Sequence, residues 1–215
     1  NSTRVIPRNM DVVYYDCTNF YFEIETEDEL RKYGCSKENR PNPIVQLGMF
    51  MDGNGIPLCH GITPGNTNEQ TTLRPLEEKI IKQYKNSNAR MIICTDAGLA
   101  SDANKRFNSI QKRSFIVTQS IKKMDKVNRE WALAKGRSLI TEPLQDGENP
   151  NIVHRDRMNE CWRLVGSNEL YSLDDIDTDD ISNFNKIFYK EKHIISPQGT
   201  EQRLIVSYSL KYKRY

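Results

Sequence analysis

The chain has 215 residues, 37 per cent of them apolar and 28 per cent charged, and a formal net charge of +2. A chain this long buries enough surface to fold without a disulfide or metal staple, and its composition excludes wholesale disorder and collagen. No apolar run approaches the roughly eighteen residues of a membrane span, and no signal peptide opens the sequence. It begins Asn1-Ser2-Thr3 without methionine, and is read as a piece excised from something longer.

In chain order, Asp11 to Glu23 is rich in Val, Tyr and Phe with apolar residues on both faces, which predicts a central strand. Thr26 to Arg40 is charged and reads as loop or a short helix. Pro43 to Met51 is a second strand, and Asp52-Gly53-Asn54-Gly55 is a hairpin signal leading to a third strand, Ile56 to Ile62. Pro64-Gly65 closes it. Leu73, Leu76, Ile80 and Tyr84 recur at helical spacing, with Asn66 or Thr67 as cap and Pro75 as a helix start or kink. Arg90 to Thr95 is a short strand ending at Asp96-Ala97-Gly98. Ser101 to Ser109 is a short helix and Ser114 to Gln119 a fifth strand. The order β-β-β-α-β-α-β predicts an α/β fold: a mixed sheet with helices on its faces over residues 1–120, in which the first and fourth strands can pair as neighbours.

After Ser120 the pattern weakens. Ile121 to Asn151 is basic, with one helical stretch around Trp131, broken by Pro143 and Asp146-Gly147. Strands are expected at Trp162 to Val165, Phe188 to Ile195 and Arg203 to Leu210. Residues 121–215 are read as a strand-rich appended or inserted region. Asp174 to Asp180 is an acidic loop leading to a helix around Ile181, Phe184 and Phe188. An EF-hand starting at Asp175 would need Gly at Asp180 and Glu at Lys186, so a calcium loop is rejected.

Charge is unevenly spread. Ser101 to Ile140 holds ten Lys/Arg against three acids, and Gly166 to Asn185 holds six acids and no base. Arg203, Lys211, Lys213 and Arg214 add a basic end. Such segments attract a phosphate backbone, although a solvated face has the same composition. Cys17, Cys35, Cys59, Cys94 and Cys161 contain no C-x-x-C pair and read as reduced core residues in a cytoplasmic protein. His60, His154 and His193 form no pattern with them, so neither a thiol nucleophile nor zinc is indicated.

Asp16 stands within an apolar strand, where a carboxylate is expensive unless paired or bound to metal; the other reading is a turn in which it bonds its own backbone. Asp96 ends another apolar strand, as a helix cap or turn residue does. If the first and fourth strands pair, Asp16 and Asp96 face each other and share a divalent cation, Mg²⁺ or Mn²⁺. A pair of such ions polarises a phosphodiester for in-line attack.

The ordered set Asp16-Cys17-Thr18-Asn19-Phe20-Tyr21-Phe22, Gly34-Cys35-Ser36-Lys37, Gly55-Ile56-Pro57-Leu58, Pro64-Gly65-Asn66-Thr67, Thr95-Asp96-Ala97-Gly98-Leu99 with Ser101 and Asn104, and Val206-Ser207-Tyr208-Ser209 spans nearly the whole chain. In it the chain resembles the DDE transposases of bacterial insertion sequences, in the subgroup with a strand-rich insertion between the second aspartate and the final glutamate. The resemblance implies a ribonuclease H-like fold with Asp16 and Asp96 as the first two metal-binding carboxylates. It also implies double-stranded DNA as partner (transposon ends and target) and cleavage followed by strand transfer. The parent would be dimeric on paired ends, in the bacterial cytoplasm with the nucleoid.

The family's third carboxylate lies on a helix after the insertion. Nothing before Tyr215 resembles it, and Glu160, Glu191 and Glu201 lie inside the inserted region. The sequence is therefore read as an inactive fragment of an active parent. Ser36, Lys37 and Arg40 are candidate phosphate contacts or a solvated loop. Lys122 and Lys123 belong to the basic segment Lys105 to Arg137, expected to track phosphates. Trp131 and Trp162 serve either to stack an unpaired base or to pack a core. A DNA-binding module without catalysis and a ribonuclease H-like nuclease outside transposition are the competing readings.

Overall fold

Alternation along the first strand decides which side of the protein is closed. In the computed structural model, which describes residues 5–83, 90–136, 160–167 and 169–213, β1 (Val12–Tyr21) turns Val13, Tyr15 and Cys17 into the core. Tyr84, Arg137, Pro143, Asp146-Gly147, Asn151, His154 and Arg214 lie outside the described residues. The chain divides into two units, Asn1–Ser120 and Ile121–Tyr215.

In the first unit, β1 lies at the middle of a five-stranded sheet ordered β3-β2-β1-β4-β5. β2 (Ile44–Asp52) and β3 (Pro57–Pro64) follow as antiparallel neighbours. The hairpin between them is held by the Asp52 carboxylate, which accepts from the Asn54 and Ile56 amides at 3.0 and 2.9 Å. β4 (Met91–Thr95) and β5 (Arg113–Val117) run parallel to β1 on its other side. The expected adjacency of the first and fourth strands holds.

Helix α1 (Glu69–Gln83) lays Leu73, Leu76 and Ile80 on Val13, Tyr15, Cys17, Phe50, Ile93 and Leu99. Each such apolar side chain contributes about 1.5–3 kcal/mol on burial. The cap is Asn68, whose side-chain oxygen accepts from the Gln70 amide at 3.0 Å, rather than Asn66 or Thr67. Those two residues sit in a turn after β3, closed by the Thr67 amide on the Pro64 carbonyl at 2.9 Å. Pro75 lies inside α1, neither at its start nor at its end. α2 (Asp102–Phe107) is capped by Ser101, whose hydroxyl accepts from the Asn104 amide at 3.3 Å. The segment Thr26 to Arg40 contains no helix, only turns and a bridge from Lys32 to Ile44.

Helix α1 packs against one face of this sheet. On the other, Tyr14, Phe20, Ile62 and Ile116 are 45, 54, 54 and 58 per cent exposed. β1 is thus apolar on both faces without being buried on both, because no described element of the unit covers the second.

The second unit is a four-stranded antiparallel sheet, β7-β6-β8-β9, of β6 (Trp162–Leu164), β7 (Leu170–Tyr171), β8 (Phe188–Ile195) and β9 (Glu201–Tyr208). Its core gathers Trp162, Ile176, Phe188 and Leu210. Helix α3 (Lys126–Leu133) follows a short turn at Ile121–Lys123. Ile181–Asn183 forms only a single tight turn, and Phe188 belongs to β8. Among the described residues no helix is long and apolar enough to cross a membrane.

Candidate functional site

The hydrogen-bonded register of β1 and β4 pairs Val12 with Ile92, Val13 with Ile93 and Tyr14 with Cys94. Continued two residues further, the same register sets Asp16 opposite Asp96. In a parallel pair, register partners share a face, and neighbouring strands lie about 4.8 Å apart. Ligands of open α/β sheets bind beyond the carboxyl ends of strands where connections diverge to opposite sides. That divergence falls here: β1 leads to β2 and β3 on one side, β4 to β5 on the other.

Both carboxylates are exposed. Asp16 therefore does not bear the desolvation cost expected from its apolar neighbours, since its side of the strand is the open one. One oxygen of each is engaged locally: Asp16 Oδ1 accepts from the Cys17 amide at 2.8 Å, and Asp96 Oδ1 from the Leu99 amide at 3.2 Å. Asp16 lies in a strand rather than a turn, though its carboxylate still bonds the next amide, and Asp96 caps the short turn Ala97–Leu99; a carboxylate bonded in this way has further lone pairs to offer. Hard oxygens of this kind suit Mg²⁺, which takes one or two carboxylates and keeps water and phosphate as its other ligands. Among the described residues no group of three or more His, Cys, Asp or Glu could hold a metal ion, so the pair has no third protein ligand there.

Side-chain amides hold the two aspartates in place. Asn104 donates to the Leu99 carbonyl at 3.0 Å and the Gln70 carbonyl at 3.2 Å, tying the turn after Asp96 to the start of α1. Asn19 donates to the Cys35 carbonyl at 3.3 Å and accepts from the Lys37 amide at 3.2 Å, fastening the loop that carries Ser36 and Lys37 to β1. Lys37 Nζ then donates to the Cys17 carbonyl, one residue from Asp16. Gly34 and Gly65 permit this fastening. A Cβ on Gly34 would press into the Gly65 carbonyl, and one on Gly65 into the carbonyls of Ile44 and Lys32.

The other expected residues are dispersed. Ser36 is buried and accepts from the Glu38 amide at 3.3 Å, as part of the loop's turn. Arg40 lies over the Tyr21 ring at 4.8 Å and pairs with Glu38 at 3.6 Å. Lys122 and Lys123 are exposed in the second unit. Trp162 is 2 per cent exposed and donates to the Ala134 carbonyl at 3.1 Å, which makes it core rather than a stacking platform. Trp131 is half-buried, with the ammonium groups of Lys190 and Lys192 over its ring at 4.8 and 4.7 Å. The five thiols are free, and burial pushes those of Cys59 and Cys94 up, away from nucleophilic character.

Sequence reasoning misses Asn19 and Asn104 as positioning groups and places His60 in no pattern. The register sets Asp16 opposite Met49 and Met49 opposite His60, so His60 stands in the same cross-strand row. Two strand spacings, about 10 Å, separate it from Asp16. No local motif carries that signal; it exists only once the strands are paired.

No family model matches the chain, and no curated protein matches it significantly. One solved structure, the cryo-EM structure of the piggyBac transposase synaptic complex with hairpin DNA, is similar at 11 per cent identity and a TM-score of 0.37. The match covers 93 per cent of this chain and 33 per cent of that one, so the chain spans a third of that protein's length. At this distance the likeness decides neither fold nor chemistry.

Proposed function

We propose that the first unit is the ribonuclease H-like part of a DNA transposase of insertion-sequence type, acting in metal-dependent strand cleavage and strand transfer at element ends. The observation that supports this reading is the parallel β1–β4 pairing of Val12 to Tyr14 with Ile92 to Cys94, whose register, continued two residues, would bring Asp16 opposite Asp96. The ordered motifs around those residues support it independently. Asp16 and Asp96 would hold Mg²⁺ or Mn²⁺, which when bound supplies Lewis-acid polarisation of a phosphodiester and activation of water or a 3′ hydroxyl. Lys37, whose ammonium donates to the Cys17 carbonyl, would contact a DNA phosphate. Asn19 and Asn104 orient the two segments of the first unit; within the second unit, Lys122 and Lys123 are candidate contacts to a DNA backbone. The third carboxylate of the family pattern would come from outside the described residues.

Two measurements test the reading. The chain as it stands should bind Mn²⁺, followed by its paramagnetic resonance signal, and Asp16→Asn or Asp96→Asn should each weaken that binding at least about ten-fold. In a polypeptide that adds the third carboxylate, either substitution should remove metal-dependent cleavage of a duplex while leaving duplex binding intact. Cleavage that persists in one variant removes that residue from the mechanism.

A further inference from the structure

Each of the two sheets ends in two edge strands, and an edge presents unpaired backbone amides and carbonyls to any chain able to add a strand. Three of the four edges are guarded. β3 begins and ends with proline, at Pro57 and Pro64, and its pairing with β2 shifts register between Phe50 and Met51. β5 has five residues and begins at Arg113, behind Lys112. β7 has two residues.

β9 lacks these guards. It is the last strand of the second sheet and is hydrogen-bonded to β8; among the described residues nothing pairs with its outer side. Its eight residues, Glu201–Tyr208, pair with Phe188–Ile195 without a register shift and include no proline, glycine or lysine. Charge is confined to Glu201 and Arg203, and Arg203 already pairs with Glu191 at 3.5 Å. Leu204 to Tyr208 carries no charge at all, and Ile205 within it is 52 per cent exposed. An edge this long, regular and uncharged is a template for strand addition.

The order of side chains selects a second copy of this chain as the added strand. A two-fold axis perpendicular to the sheet pairs β9 antiparallel with itself and keeps the inner faces of both copies on one side. Centred on Arg203, that axis sets two guanidinium groups against each other, which destabilises the pair. Centred on Leu204, it sets Gln202 against Val206 and Arg203 against Ile205. Centred on Ile205, it sets Leu204 against Val206 twice, Ile205 against its own copy and Arg203 against Ser207. Apolar side chains then meet on both faces, and no like charges face each other.

We propose that β9 is a self-association edge, joining two copies of the chain about a two-fold axis at Ile205 and fusing two four-stranded sheets into one. The proposal concerns the second unit alone and does not rest on the transposase reading. An interface one strand wide falls below the roughly 1,200 Å² of a standard stable one, so the association is weak and concentration-dependent.

Sedimentation velocity of the full chain in EDTA tests this from about 2 to about 200 µM, the range of weak association. The wild type should pass from monomer to dimer across that range. Ile205→Lys puts a charge at the centre of the edge and should raise the dissociation constant at least about ten-fold, with the melt of the dilute protein unchanged. Cysteine substitution reads the register itself, because paired residues on neighbouring antiparallel strands lie about 4.5–5.5 Å apart between Cα atoms, within disulfide reach. In a Cys35→Ser background, which removes the exposed native thiol, Ile205→Cys should cross-link two chains on mild oxidation. Arg203→Cys, opposite Ser207 of the second copy, should not. A chain that stays monomeric throughout, a dimer that Ile205→Lys leaves intact, or equal cross-linking by the two cysteine variants overturns the proposal. The first of these outcomes would leave the edge to a strand from a different protein.

Discussion

Each unit buries an ionisable side chain within its packed interior, acidic in one and basic in the other, and the two are handled differently. In the first, Glu77 of α1 is fully buried with a single side-chain partner, Asn108 Nδ2 at 3.1 Å, and burial pushes its carboxyl up to about 7. In the second, Lys190 of β8 is 1 per cent exposed, and its ammonium donates to the carbonyls of Trp131 and Ala134 at the end of α3 while lying over both tryptophan rings. Burial pulls Lys190 down to about 8, against the attraction of Glu160. The acid sheds its charge near neutrality; the base keeps its charge there because helix carbonyls and ring faces surround it. A buried charge is tolerable in proportion to the partners the fold supplies.

The comparison sharpens under mutation. The largest effect should come from Gly65→Ala, whose methyl group would meet two backbone carbonyls that have no room to yield. It should cost the first unit about 3 kcal/mol or more, seen as faster amide exchange along β1, with the tryptophan-reported melt of the second unit unchanged. Both tryptophans of the chain, Trp131 and Trp162, belong to the second unit, so their fluorescence reports that unit alone. A shifted tryptophan melt in Gly65→Ala would show instead that the two units unfold together.

Glu77 comes next. Its folded value lies above the ordinary 4.5, so its contribution is fully present below pH 4.5 and is lost as pH rises through about 7. Glu77→Gln keeps an acceptor for Asn108 and should stabilise the first unit at pH 8 by on the order of 2 kcal/mol, with no gain at pH 4. An equal gain at both pH values would assign the effect to packing instead.

Lys190 works in the other direction. A lysine depressed on folding releases a proton, so the second unit should gain stability as pH climbs from about 8 toward 10.5. Lys190→Met should flatten that rise in the tryptophan-reported melt. The smallest effect should come from Lys122→Gln/Lys123→Gln, which should lower the salt slope of duplex binding by about 2 and leave both melts in place.

Segments with strong local periodicity are legible from residue type and spacing alone. The hairpin from Ile44 to Pro64, the apolar stripe of α1 and the short β4 declare themselves by turn residues and spacing, and three strands before the first crossover restrict the sheet to a mixed one. The helix cap is harder to place because Asn66, Thr67 and Asn68 are all competent caps, and only the turn after Pro64 selects Asn68. Phe188 reads both as the end of a helix with Ile181 and Phe184 and as the start of a strand running to Ile195, and pairing with Tyr208 across β8 and β9 decides for the strand.

Residue type and spacing by themselves determined the order and kind of the main elements, and singled out Asp16 and Asp96 as acids at apolar strands. Only the tertiary structure decided that Asp16 lies on an open face, that Lys37 returns to the Cys17 carbonyl, and that Trp162 is core. The reason is physical: periodicity is a property of one segment, while burial and charge proximity arise from the register between segments distant along the chain.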